Sequence, residues 1–505
     1  MKLPTFARWQ KNALQLVFLL LFSGLFVLCF SYSTSFLYPG YYGSDSAIFQ
    51  LIGKYWAQGV VPYKQLFDHK GPLIFFIDAI GYAIHGRSGI LVLQTLSLAV
   101  TIGAFYRFCR LGMGWLPAGV STAVSLLYLA RSFDEGNMTE EYSLPFLAIC
   151  LYLAGRWYLR QTKGDVPCHP WQYAAVYGGC FAAVVMLRLT NAILIGSLVL
   201  VIVILLIVCR QWRNLWHNAL GFLGGFGVCF LPFVAYFAAN GALGDMLYGT
   251  IGYNIFYATE FSITDYYANN QWADSTIRRV LFDFGAPLFL LLAVSVLALI
   301  ANRKNLLAWA GLVASPISMY VLFTNRPYVH YFMIVTPLLP LIALLTVQLW
   351  QQRRAAAFLR VAPSVLCAVW FVSLCLRLPI WKVDNFVVHY PTDIGVYNAA
   401  AQTAASQIPP SQRDSVLGYN VEAQWYLIND IQPCQRYFIH QDWQSAADET
   451  MQAEIAQDLT EHPPAWLVVS QPSNPAVQQL LQQQYTPVLG EEQGYTDYTL
   501  YHRNN

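Results

Sequence analysis

Charge is what this sequence has least of. Of its 505 residues only 11% are Asp, Glu, Lys or Arg, where an ordinary soluble domain carries about a quarter. With 56% hydrophobic and 15% aromatic residues, the chain is expected to have a bilayer as its main solvent. Net charge is only +2 and there is no dense Lys/Arg run, so no field for gathering nucleic acid exists and that partner is excluded. The ten cysteines form no CxxC pair and no disulfide framework. Cys29, Cys150, Cys180, Cys229, Cys367 and Cys375 lie in apolar stretches, and only Cys434 lies in the polar C-terminal region, so the thiols read as buried and inert. A Walker sequence and a GxGxxG following a strand are both missing, which removes the usual nucleotide-binding machinery.

What is there is a succession of apolar runs. A spanning helix needs about 20 such residues, and candidates lie near 14–37, 88–106, 113–131, 142–159, 171–188, 190–209, 218–239, 280–301, 306–323, 331–350 and 361–380. The first follows Lys2, Arg8 and Lys11, is longer than a signal-peptide core and lacks a small-x-small cleavage site, so it is expected to remain as a span. Pro72 to Ile84 is apolar but short and carries Asp78, which suits an interfacial or re-entrant element. With the N-terminus in the cytoplasm and that segment not crossing, twelve cations fall inside: Arg107, Arg110, Arg156, Arg160, Lys163, Arg210, Arg213, Arg303, Lys304, Arg353, Arg354 and Arg360. Five fall outside: Arg131, Arg188, Arg278, Arg279 and Arg326. Crossing would exchange the two sets against the positive-inside tendency. The expectation is a polytopic α-helical protein of the cytoplasmic membrane with about eleven spans, its N-terminus cytoplasmic and its C-terminus extracytoplasmic.

From about residue 384 the composition turns to Gln, Asp and Glu. Apolar runs at Ser415 to Tyr419, Tyr437 to His440, Trp466 to Ser470 and Tyr498 to Tyr501 alternate with helical patterns near 394–406, 445–460 and 475–484. Alternation of this kind predicts a small extracytoplasmic α/β domain over 384–505, following a transmembrane domain over 1–383. His440 and His462 stand alone in it and read as surface histidines.

Under this topology the unusual polar chemistry collects on the outer face. In the first loop Ile48, Leu51, Ile52, Tyr55 and Trp56 recur at helical spacing and predict an amphipathic helix along the membrane surface. Ser44 and Asp45 stand at its start, and two readings are compatible there: a helix cap, or a general base kept ionised by the helix dipole. Asp68, His69 and Lys70 precede Gly71-Pro72; they form either a polar collar or a seat for an anionic lipid headgroup. The second loop, Phe133 to Tyr142, holds four carboxylates, among them Glu140 and Glu141. It is either a solvated turn or a second acid for binding an acceptor or a divalent metal. Arg188 follows a span, and Arg326, His330 and Tyr331 precede one. Such groups serve as snorkelling anchors or, together with Lys70, as a phosphate clamp.

In their order these features resemble the GT-C superfamily of membrane glycosyltransferases, in the branch of dolichyl-phosphate-mannose protein mannosyltransferases and bacterial aminoarabinose transferases. The matching residues are Asp45 after the first span, Gly59 to Tyr63, Asp68 to Pro72, Glu140 with Glu141, Arg188 ending the fifth span, and Tyr328 to Tyr331. The match covers most of residues 10–380. In one respect the chain departs: the family often has two adjacent acids in the first loop, whereas Asp45 is flanked by Ser44 and Ser46. The resemblance implies transfer of a sugar, with inversion, from a polyprenyl-phosphate donor to a glycan, lipid or protein acceptor at the outer face. Asp45, Glu140 and Glu141 would then be the catalytic acids, and Asp68, His69, Lys70, Arg188, Arg326, His330 and Tyr331 would bind the lipid phosphate or substrate. No cofactor is implied beyond an optional divalent metal. The competing classes are a lipid or sugar transporter, for which polytopic topology is equally suited, and a non-catalytic assembly subunit that works through its tail. Against the transporter stand the lack of an obvious repeat and the gathering of polar residues at one face.

The topology is tested by labelling Cys434 with an impermeant thiol reagent in intact spheroplasts. Labelling before lysis is expected, and protection until lysis would reverse the orientation.

Overall fold

The computed structural model describes residues 8–38, 40–41, 43–160, 167–255, 284–324, 328–352, 356–376, 390–446, 448–490 and 498–504. In chain order the helices of the first three hundred residues are α1 (Arg8–Phe30), α2 (Ser44–Trp56), α3 (Pro72–His85), α4 (Arg87–Cys109), α5 (Trp115–Ser132), α6 (Thr139–Arg160), α7 (Trp171–Val185), α8 (Ile193–Val208), α9 (Trp212–Ala239), α10 (Leu243–Leu247) and α11 (Ala286–Ala301). Then come α12 (Leu306–Phe323), a 3-10 stretch (Val329–Val335), α13 (Leu338–Gln351), α14 (Ala357–Leu376) and α15 (Tyr390–Ser406). The C-terminal elements are β1 (Val416–Tyr419), α16 (Ala423–Asn429), α17 (Gln441–Ser445), α18 (Glu449–Glu461), β2 (Trp466–Val469), α19 (Pro475–Gln484), β3 (Tyr485–Leu489) and β4 (Thr499–Arg503).

Each of the eleven apolar runs contains a helix. Seven helical stretches among the described residues are long and apolar enough to cross a membrane: Asn12–Phe30, Arg87–Cys109, Leu189–Val208, Trp212–Ala239, Leu306–Phe323, Val329–Gln351 and Ala357–Leu376. The other four fall short for visible reasons. Helices α7 and α11 have 15 and 16 residues, α5 is diluted by Ser121, Thr122, Ser125 and Arg131, and α6 carries Glu140, Glu141, Arg156 and Arg160. The chain is a polytopic helical membrane protein.

Two compact units emerge from the packing. The first comprises residues 1–31, 91–234 and 262–379. Its core centres on the stretch Val329–Gln351, most of which is buried, with α13 packed against α5, α11, α12 and α14. Leu338, Leu341, Leu344 and Leu345 of α13 meet Leu288, Leu291 and Val294 of α11 in one apolar cluster. At the margin, α7 and α9 pack backbone to backbone: a methyl group at Gly178 would collide with the carbonyl of Phe222, and one at Gly225 with the carbonyl of Ala175. Small residues on facing helices permit this approach.

The second unit comprises residues 32–90, 235–261 and 380–505. Its sheet has the order β1-β2-β4-β3, with β1 and β2 parallel and the other pairs antiparallel. Strands β1, β2 and β4 lie on three of the four predicted runs. Tyr437 to His440 is not a strand, because side chains satisfy its backbone instead: the Tyr426 hydroxyl donates to the Phe438 carbonyl and the Gln441 amide donates to that of Tyr437. Strand β3 and helix α16 lack a sequence signal of their own. The predicted surface helix exists as α2, but it is buried on nearly every side, Ser46, Gln50 and Gly53 included. Both α3 and α16 pack against it, so it has no broad face for lipid.

Gly53 is the contact that lets α2 and α3 approach, since a methyl group there would strike the Asp78 Cβ and come within 2.8 Å of the Ala79 amide nitrogen. Gly53→Ala is expected to cost about 1–3 kcal/mol and to lower the temperature of heat inactivation in detergent. Gly119→Ala, where a methyl group meets nothing within 4 Å, is expected to leave it unchanged or raised.

Candidate functional site

In the second unit the first-loop acids and bases form one chain of contacts. Gly43, at φ 90°, caps α2, and no side chain makes the cap hydrogen bond. The capping reading of Ser44 and Asp45 therefore fails: both already lie within the first helical turn, and the Ser44 hydroxyl donates instead to Glu422 Oε2 at 2.8 Å. Asp45 Oδ2 lies 3.6 Å from Lys70 Nζ. Lys70 Nζ is 3.0 Å from His69 Nε2, His69 Nδ1 is 3.4 Å from Asp68 Oδ1, and the Lys70 amide donates to Asp68 Oδ2. Tyr63, itself in the left-handed region at φ 64°, donates its hydroxyl to the Lys70 carbonyl at 2.7 Å and Asn254 donates to that of His69. Gly71-Pro72 then opens α3 with proline in its favoured first position. The Asp-His-Lys run is thus a folded hairpin of charges.

Burial sets the protonation pattern here. It pushes the Asp68 carboxyl up, but His69 and Lys70 outweigh it and hold Asp68 at about 2. Burial, reinforced by the Lys70 charge, pushes the His69 imidazole below its ordinary value despite Asp68. Lys70 Nζ lies between the His69 ring and the Asp45 carboxylate.

The first unit holds a second cluster. The loop before α6 turns through left-handed Asp134, Gly136 and Asn137 and delivers Glu140 and Glu141 into the first turn of α6, both almost fully buried. Arg188 Nη1 donates to Glu140 Oε1 at 2.7 Å while its guanidinium lies 3.6 Å over the Tyr331 ring. Glu141 turns elsewhere, accepting from Gln94 Nε2 and from the Asn137 amide, each at 2.9 Å. His330 Nδ1 pairs with Asp134 Oδ2 at 2.9 Å, and its ring meets Tyr331 edge to face. Two of the expected phosphate-binding cations, Arg188 and His330, are therefore each matched by an acid. The acidic loop is not a solvated turn at Glu140 and Glu141. Among the described residues no group of three or more His, Cys, Asp or Glu side chains is arranged to hold a metal ion. Arg326 lies outside the described residues.

Sequence reasoning missed Gln94, Glu422 and His440, and did not foresee that Asp134 pairs with His330. His440 is not a lone surface residue: its Nε2 lies 3.3 Å from Glu422 Oε2 and 3.5 Å from the Ser44 hydroxyl. Burial favours the uncharged form of both groups, yet their mutual contact prevails, lowering Glu422 and raising His440 from their ordinary values. Contacts spanning nearly four hundred residues leave no local pattern to read.

No family model matches the chain, and no curated protein matches it by sequence. Solved structures do match. The chain is similar to ArnT from Cupriavidus metallidurans in the apo state, with a TM-score of 0.56 at 14% identity over 97% of this chain and 98% of that one. The same protein bound to undecaprenyl phosphate gives 0.56 at 14% over 96% and 97%. The apo oligosaccharyltransferase of Archaeoglobus fulgidus gives 0.54 at 12%, over 90% of this chain and 69% of that one. The fold is GT-C-like.

Removing one partner of a buried ion pair costs about 3–5 kcal/mol, because the other charge is stranded. Arg188→Ala is accordingly expected to lower heat stability sharply, and Arg188→Ala with Glu140→Gln to recover much of the loss. Equal stability of the single and double variants would show that Glu140 does not depend on Arg188.

Proposed function

We propose that this protein is a glycosyltransferase that moves a sugar from a polyprenyl-phosphate donor to an acceptor hydroxyl at the outer face of the cytoplasmic membrane, with inversion. The observation that carries this reading is the pairing of Asp45 with Lys70, backed by His69 and Asp68. A carboxylate for the acceptor hydroxyl and a cation for the phosphate are the two charges that displacement at an anomeric carbon calls for. The GT-C-like fold, shared with a protein solved with undecaprenyl phosphate bound, supports a lipid-linked donor.

In the proposed step Asp45 takes the acceptor hydroxyl's proton as its oxygen bonds to the anomeric carbon. The carbon–oxygen bond to phosphate breaks on the opposite side, and its electron pair leaves with the polyprenyl phosphate. One displacement inverts the centre. Asp45 stands in the first turn of α2, at the positive end of its dipole, while Lys70, held by His69, offers its charge to the departing phosphate. Within their own unit Arg188 and His330 are proposed as an anion seat, with Tyr331 as the shelf for Arg188. Glu140 holds Arg188, and Glu141 fixes the acidic loop. Eleven spans, an inside N-terminus and an extracytoplasmic 384–505 domain complete the reading.

Asp45→Asn tests it. Loss of a positioned base costs about 10² to 10⁴ in rate, so the gene-dependent envelope glycan, followed by mass spectrometry, is expected to vanish while the purified variant still binds undecaprenyl phosphate. Lys70→Ala is expected to weaken that binding tenfold to a hundredfold, as loss of a charge-assisted contact of about 1.5–3 kcal/mol implies. A normal glycan level with Asp45→Asn would sink the assignment.

A further inference from the structure

The helix that begins with the proposed base is held at both ends by a single short helix of the C-terminal segment. Glu422, the residue before α16, accepts from the Ser44 hydroxyl at 2.8 Å. Asp430, the residue after α16, lies 2.5 Å from Lys54 Nζ near the end of α2. Like ends are matched, so α2 and α16 run parallel. The lengths agree as well: ten residues from Ser44 to Lys54 rise about 15 Å and eight from Glu422 to Asp430 about 12 Å, a difference the long lysine arm spans.

Helix α16 is itself fixed. Trp425 and Tyr426 are fully buried, and the Tyr426 hydroxyl accepts from the Gly418 amide of β1 and donates to the Phe438 carbonyl. Two residues on, His440 sits in the left-handed region at φ 45°, a conformation that is strained for a residue other than glycine. The strained backbone brings its imidazole to Glu422 and Ser44, and Ser44 is covalently next to Asp45.

We infer that the C-terminal segment is a positioning element for transfer: Glu422 and His440 grip Ser44, and Lys54 and Asp430 grip the far end of α2, so that the Asp45 carboxylate is aimed from a rigid support. This rests on the reading of Asp45 as the base. Glu422 and His440 act through Ser44 and α2 and are positioning residues, not catalytic ones. A shift of about 1 Å in a reacting group costs up to 10²-fold, so losing the grip is expected to slow transfer tenfold to a hundredfold.

The test uses full-length protein and three readouts: the rate at which the envelope glycan appears after induction, binding of undecaprenyl phosphate, and amide exchange across residues 44–50. Glu422→Ala, His440→Asn, which keeps a residue tolerant of the left-handed backbone, and Ser44→Ala are each expected to slow the glycan and speed exchange in 44–50. Undecaprenyl phosphate binding and exchange in β2 and β4 should not change. Ser44→Thr, which keeps the hydroxyl, is expected to restore both. Because Ser44→Ala leaves the C-terminal segment intact, it answers the question even if Glu422→Ala unfolds. A full rate for Ser44→Ala and His440→Asn beside a dead Asp45→Asn overturns the positioning role alone, whereas an active Asp45→Asn overturns the base and the purpose of the grip together. Unaltered exchange in 44–50 in all three variants also overturns it.

Discussion

A carboxylate taken out of water at the end of an apolar helix must recover its lost solvation from a cation or from donated hydrogen bonds. Glu140 and Asp68 are both almost fully buried, and each has such a partner within its own unit, Arg188 for one and the His69–Lys70 pair for the other. Around these two matches the local backbone is arranged: left-handed residues turn the loop before α6, left-handed Tyr63 and the Gly71-Pro72 start of α3 close the hairpin, and aromatic rings supply low-dielectric shelves. Among the described residues, then, the buried acid of each cluster is matched by a base from the same unit.

The membrane part was legible because hydrophobic length is a one-dimensional property. Every apolar run marks a helix, and polar residues or short length weaken the signal in α5, α6, α7 and α11. The C-terminal helices near 394–406, 445–460 and 475–484 were visible through their periodicity, as were three strands. Tyr437 to His440 misled because its apolar content serves burial beneath α16, with Tyr426 and Gln441 taking the hydrogen bonds a neighbouring strand would have supplied.

The candidate site was legible in part. Asp45, Asp68, His69 and Lys70 are close in sequence and close in space, and the same loop logic located Glu140 and Glu141. What no local pattern reveals is which acid answers which base. Gln94 meets Glu141, Asp134 meets His330, and Glu422 and His440 meet Ser44 only after tertiary folding. Ser44 and Asp45 look like a cap in sequence because their residue types favour caps; glycine at position 43 occupies that role and releases both side chains for other partners.

The glycine contacts between α7 and α9 bear on how this chain is free to diverge. Helix α9 leaves most of its length uncovered and touches α7 through Gly221 and Gly225, where carbonyls of Trp171 and Ala175 stand against the Cα positions. Leu223, Val228 and Leu231 of the same helix are exposed, whereas at Gly221 and Gly225 a methyl group would already strike a carbonyl of α7. Over evolutionary time α9 should therefore drift freely at its exposed positions and hold still at these two, where anything larger than glycine would drive the helices apart.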